Sequence, residues 1–171
     1  MRPGLYVSYA WGLALTGQIE AAEGCLHQVE AALQRTGTAA AAASPMHNIR
    51  LGRAAALRAM LAARRGAPAD AVRLAQQALA LIPIDTSARG DAYYALGQAN
   101  QQQGTLAAAL QAYEAATKLG MAANDSFLTV AARYHAARIL MAQGYLQKAA
   151  TIYQQLLTEA TQSRKMRAAS G

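Results

Sequence analysis

Residues 88–120, ARGDAYYALGQANQQQGTLAAALQAYEAATKLG, decide the fold. Ala92, Tyr93, Leu96 and Gly97 recur at helical spacing before Gly104, and Leu106, Ala109, Leu110, Tyr113 and Ala116 do so after it. Gly104 stands where a helix would end in the left-handed region, which a residue without a β-carbon enters at no steric cost. The stretch therefore predicts two antiparallel helices joined by a tight turn. Neither helix can bury its apolar stripe alone, so the pair is a unit built for stacking.

The unit recurs along the chain. Gly17, Gly66, Gly104 and Gly144 are each followed five residues later by alanine, at Ala22, Ala71, Ala109 and Ala149. Seven residues before each glycine stands a small residue, Ala10, Ala59, Gly97 or Ala137. Four matches in register predict a helical-repeat solenoid of tetratricopeptide type. The fold class is all-α: about four helix pairs wound into a superhelix, over residues 3–34, 46–82, 86–120 and 124–161. Thus 1–162 form the repeats, with Gly120 as a further C-cap and Asp85, Thr86 or Ser87 capping the third pair. Residues 163–171 are expected to be a frayed tail. The first glycine interval is the longest, which places an insertion in the linker TGTAAAAASP (Thr36 to Pro45). Composition agrees, because a 54% hydrophobic fraction, much of it alanine, with 6% aromatics, suits thin, closely packed helices better than a sheet.

The repeat spacing of about 38–40 residues exceeds the ~34 of ordinary tetratricopeptide repeats. The segments YAWGLALTGQIEAAEGCL (Tyr9 to Leu26), QQALALIPIDTSARGDAYYALGQANQQQGTLAAALQAYEAA (Gln76 to Ala116) and ARILMAQGYLQKAATIYQQLL (Ala137 to Leu157) carry a more specific likeness. Through them the chain resembles the tetratricopeptide-like region of the MalT-like, large ATP-binding LuxR-type transcriptional regulators. The resemblance implies a region lying between a nucleotide-binding module and a DNA-binding helix-turn-helix, and sensing an inducer or a protein partner. Neither flanking module is contained in these 171 residues.

Other functional classes lack their residues. No G-x-x-x-x-G-K-[ST] run is present to cradle phosphates. His27, His47 and His135 fall in three different repeats without a metal-ligand pattern, and Cys25 and His27 do not share a helix face. The chain is therefore expected to be no enzyme, with no cofactor and no metal. A single cysteine excludes an internal disulfide and fits a reducing, cytoplasmic setting. LYVSYAWGLAL (Leu5 to Leu15) faintly resembles a signal peptide, but the repeat register accounts for it, and no apolar run has transmembrane length. The net charge of +7 is spread over every repeat, with only Arg164, Lys165 and Arg167 clustered, so neither direct nucleic-acid contact nor a membrane partner is expected.

Register from the turn glycines places Trp11, Arg53, Met60, Arg64, Asp91, Tyr94, Gln98, Gln101, Tyr134 and Arg138 on first helices, facing a concave groove. Aromatic planes mixed with planar donors can hold a peptide or a polar small molecule, and arginines can fork onto carboxylate or phosphate oxygens. Two readings follow. One is the sensor and interaction region of a transcription regulator, binding a protein partner or a small-molecule inducer. The other is a stand-alone scaffold for protein assembly. Ile152, Leu156 and Leu157, on a terminal stripe that no later repeat covers, point in addition to self-association through the open solenoid ends.

Overall fold

The computed structural model describes residues 3–35 and 44–169. It contains eight helices and, among the described residues, no strand: α1 (Pro3–Leu15), α2 (Ile19–Arg35), α3 (Pro45–Arg64), α4 (Pro68–Leu81), α5 (Arg89–Gln102), α6 (Leu106–Ala122), α7 (Ser126–Ala142) and α8 (Leu146–Ala169). They form four antiparallel pairs, and the all-α repeat architecture is the expected one. The insertion expected in the first linker falls on Thr36 to Ala43, which lie outside the described residues.

Each pair turns on the same device. Gly17, Gly66, Gly104 and Gly144 all sit at φ between 78° and 87°. In the third pair the Gly104 amide donates to the Gln101 carbonyl at 3.2 Å and the Thr105 amide to the Asn100 carbonyl at 3.0 Å. These are the two reversed bonds of a Schellman motif, which satisfy carbonyls that the helix end would otherwise strand. Two boundaries differ from the sequence expectation. Gly120 is not a cap, because α6 continues to Ala122 and the left-handed residue is Asn124, at φ 54°. Gly120 instead lets α7 come close: a β-carbon there would stand 2.7 Å from the Thr129 hydroxyl. Helix α5 starts at Arg89 with no side-chain cap from Asp85, Thr86 or Ser87. The Arg89 guanidinium there reaches back to the carbonyls of Leu79 and Ile82, at 2.7 and 2.8 Å, and closes the end of α4.

The expected frayed tail is also corrected, since α8 runs on to Ala169. Residues beyond Thr161 include Gln, Arg, Lys, Met and Ala, all strong helix formers, and no glycine or proline intervenes before Ser170. Extending an existing helix costs far less than starting one, so nothing in that sequence stops it.

The small residues read from the register are the seams of the structure. Ala10, Ala59 and Ala137 are fully buried, as are Ala22, Ala71 and Ala109, and Ala149 nearly so. At Gly97 a β-carbon would lie 2.7 Å from the ring of Tyr113. The first helices α1, α3, α5 and α7 pack in sequence to form the inner layer. Each second helix packs on its partner and, in the first three pairs, on the first helix of the next. The first and last pairs do not pack helix on helix, so the array stays open.

Replacing Ala109 by leucine is expected to overpack the α5–α6 seam and cost about 1–3 kcal/mol in urea unfolding, while Ala108→Leu, on the exposed side of the same turn, should be nearly neutral.

Candidate functional site

The inner face is lined by three cavities that share walls. The first, about 350 Å³, lies between α1, α3, α5 and α7 and is bounded by Trp11, Leu15, Arg53, Asp91, Tyr94, Asp125 and Phe127, among others. The second, about 530 Å³, shares Leu15, Tyr94 and Phe127 with it and adds Arg64, Val130, Tyr134, His135, Tyr153 and Leu157. The third, about 360 Å³, shares Arg64 and His135 and adds Gln98, Gln101, Gln102 and Arg138. Together they form one groove. Nine of the ten groove residues expected from the register line it.

Met60 is the exception, being fully buried in the core. Six residues before the turn glycines stand Trp11, Met60, Gln98 and Arg138: the first two are buried, Gln98 is half-buried and Arg138 is exposed. The cause is packing of the inner layer, since α3 is flanked by both α1 and α5. Tyr94 is corrected in part for the same reason. It lines two cavities, yet it is only 3% exposed, because α5 packs on α3, α4, α6 and α7. Trp11 likewise presents an edge to the groove while remaining core.

Aromatic rings run along the floor from α1 to α8. Trp11 meets Tyr94 edge-on at 6.4 Å, and Tyr94 meets Tyr113 and His135 at 5.8 and 5.7 Å. Tyr113 stacks on His135 at 5.2 Å, and Tyr134 is set edge-on to both His135 and Tyr153. Such pairs contribute about 0.5–1.5 kcal/mol each beyond the area they bury. Buried Tyr113 keeps its hydroxyl satisfied by donating to the Gln101 side-chain oxygen at 3.0 Å, and the Gln98 amide donates to the Tyr94 hydroxyl at 3.2 Å.

Charge is distributed unevenly over the groove. At the first cavity Arg53 pairs with Asp91 at 2.8 Å, tying α3 to α5. Burial raises the Asp91 carboxyl above its ordinary range, and the Arg53 charge offsets part of that effect. At the third cavity His135 is pushed down to about 4, first by burial and then by the charges of Arg138 and Arg64. Burial also raises Tyr94 to about 12. The indole Nε1 of Trp11, the side-chain oxygen of Gln98 and Nδ1 of His135 are buried without a hydrogen-bond partner.

His135 and Phe127 are groove residues that the sequence reading left out. His135 was discoverable: it lies nine residues before Gly144, where Leu57 and Ala95 of earlier pairs are fully buried, and so beside the inner face. Phe127 sits in the first turn of α7, where the register from the distant turn glycine gives little guidance. Among the described residues no cluster of three or more His, Cys, Asp or Glu side chains could hold a metal ion, and no helix is long and apolar enough to cross a membrane.

The contrast between core and rim is measurable. Tyr94→Ala is expected to cost about 3–5 kcal/mol, whereas Arg138→Ala should stay within ~0.5 kcal/mol of the parent, both read by denaturant unfolding. The His135 shift sets a pH dependence. Its folded value lies below the unfolded 6.5, so the unfolded chain binds the proton more readily. The stability contributed by neutral His135 is present above pH 6.5 and is lost as pH falls towards about 4. His135→Phe should flatten unfolding free energy against pH in that window, relative to the parent chain.

No curated protein matches the chain. Among solved structures, the nearly identical TPR-like repeats of a kinesin light chain candidate from Podosopora anserina align at 17% identity, covering 97% of each chain with a TM-score of 0.49. The family pattern described as the MalT-like TPR region matches residues 52–170, which is well over half of the sequence. The chain therefore belongs to the MalT-like TPR region family.

Proposed function

We propose that this chain is the sensing and interaction region of a MalT-like transcriptional regulator, and that it binds an inducer or a regulatory protein in its concave groove. The observation that carries the reading is the composition of the groove's exposed wall. Phe127, Val130, Tyr134 and Leu157 are 59%, 44%, 46% and 70% exposed, on the inner side of an array whose earlier pairs bury large apolar groups such as Met60 and Tyr94. Clustered apolar groups held in water beside arginines and amides are the makings of a binding site. Binding would bias the regulator only by favouring one curvature of the array over another, since equal affinity for two states shifts neither.

A second reading, a scaffold that self-associates or contacts further segments through its open end, has its own support. Tyr145, Leu146, Leu157 and Met166 of the last pair and its turn are all more than half exposed, and no later helix covers them among the described residues.

One set of variants separates the two. Phe127→Ala and Tyr134→Ala, introduced into a regulator carrying this region, should reduce inducer-dependent transcription from a reporter while the melting temperature holds. Leu146→Glu should instead lower the sedimentation coefficient of a self-associating scaffold. An unchanged reporter response to the groove variants would defeat the sensor reading, and a monomer at high concentration would defeat the scaffold.

A further inference from the structure

The basic end of the groove has an electrostatic arrangement that the fold does not account for. Five arginines are spoken for by acidic partners: Arg53 with Asp91, Arg58 with Glu30, Arg65 with Glu23, Arg73 with Asp70, and Arg133 with Glu159. Arg64 and Arg138 are not, among the described residues. They come from different helices, α3 and α7, yet they wall the same cavity, and no aspartate or glutamate lines it or the cavity beside it. The contrast between Arg64 and its neighbour Arg65 is instructive, for Arg65 points outward to Glu23.

Two like charges facing one cavity disfavour the folded chain unless something compensates. Both also bear on His135, which remains neutral at ordinary pH and so adds no third charge. The neighbouring polar groups suit an oxyanion. The Gln101 side-chain oxygen is occupied by the Tyr113 hydroxyl, which leaves its amide hydrogens to donate. His135 likewise keeps Nδ1 buried without a partner. Arg138 is already oriented, with its guanidinium 5.9 Å from the Tyr134 ring centre.

The groove's width limits the occupant. Leu15 of α1 and Leu156 and Leu157 of α8 line the same cavity, so the two ends of the array face each other across it. An exposed apolar wall adjoins the basic end through shared Arg64 and His135. Resting on the groove reading above, we propose that Arg64, Arg138, Gln101 and His135 form an oxyanion subsite. The groove's ligand is then a small organic carboxylate or phosphate whose apolar part lies on Phe127, Val130 and Tyr134.

The test is an NMR titration of the whole chain with four probes: benzoate, phenyl phosphate, inorganic phosphate and benzyl alcohol. Benzoate or phenyl phosphate should move the His135 and Tyr134 ring signals, leave those of His27 and His47 in place, and raise the pH at which His135 titrates, because a nearby anion favours imidazolium. The stronger of the two identifies the headgroup. Arg64→Met and Arg138→Met, whose side chains are exposed, should keep the parent's melting temperature and each weaken the better probe about tenfold. Arg138→Lys should restore part of the loss, through charge without the fork.

Benzyl alcohol binding as tightly as benzoate, with no effect of the arginine variants, would overturn the subsite while leaving the groove reading intact. Phosphate shifts that persist when both arginines are replaced would show an adventitious ion only. A tetraglutamate peptide, titrated afterwards in the same way, would overturn the small-molecule assignment if it bound more tightly than either aromatic oxyanion. No movement of His135 with any oxyanion would overturn the subsite outright.

Discussion

The groove depends on the contact between the Tyr113 ring and the bare backbone of Gly97. Tyr113 belongs to the outer helix α6 but is fully buried, and it stacks on His135 of α7 and meets Tyr94 of α5. It can reach that far only because α5 presents no side chain where the ring passes, a β-carbon at Gly97 lying 2.7 Å from two ring atoms. Backbone and ring cannot yield to one another at that distance, so the α5–α6 spacing and the ring's position are set together. Gln101, His135 and Tyr94 then take their places around it. The polar end of the groove thus has an outer-layer residue at its foundation.

The four pairs obey one register and yet are not interchangeable. Ten residues before each turn glycine stand Val7, Ala56, Tyr94 and Tyr134; the first three are buried and the last is nearly half exposed. The same backbone position therefore serves as core in the first three pairs and as groove wall in the last. Both α1 and α7 have an inner-layer neighbour on one side only, but α7 meets α5 more sparsely than α1 meets α3, so its inner face stays open. Function in the array is set by where a position lies along it as much as by which residue occupies it.

That distinction marks how far the sequence was legible. The turn glycines, the buried alanine seams and the four pairs were all readable, because each rests on local chemistry: a left-handed residue, or a side chain too small to hold helices apart. Helix ends were less so. Gly120 looks like a stop signal but serves as a close-approach site, and the polar segment after Thr161 continues as helix. The candidate groove was legible to the level of a helix face. What the register could not supply was the degree of covering, so Met60 sits in the core and Tyr94 belongs more to the core than to the surface. The register could have placed His135 beside the inner face, but a lone histidine carries no sign of the rings that surround it.

The row of rings on the inner face also has an optical consequence. The chain holds a single tryptophan, so all indole emission comes from Trp11, at the first pair's end of that row. Tyr94 and Tyr113 stand next along it, and Tyr134 and Tyr153 at the far end, on α7 and α8. Excitation absorbed by a tyrosine passes to tryptophan with an efficiency that falls steeply with separation. Light absorbed by the tyrosines and re-emitted by Trp11 therefore gauges how tightly the array is curled, and any opening or tightening of the groove is written into the protein's own fluorescence without a dye.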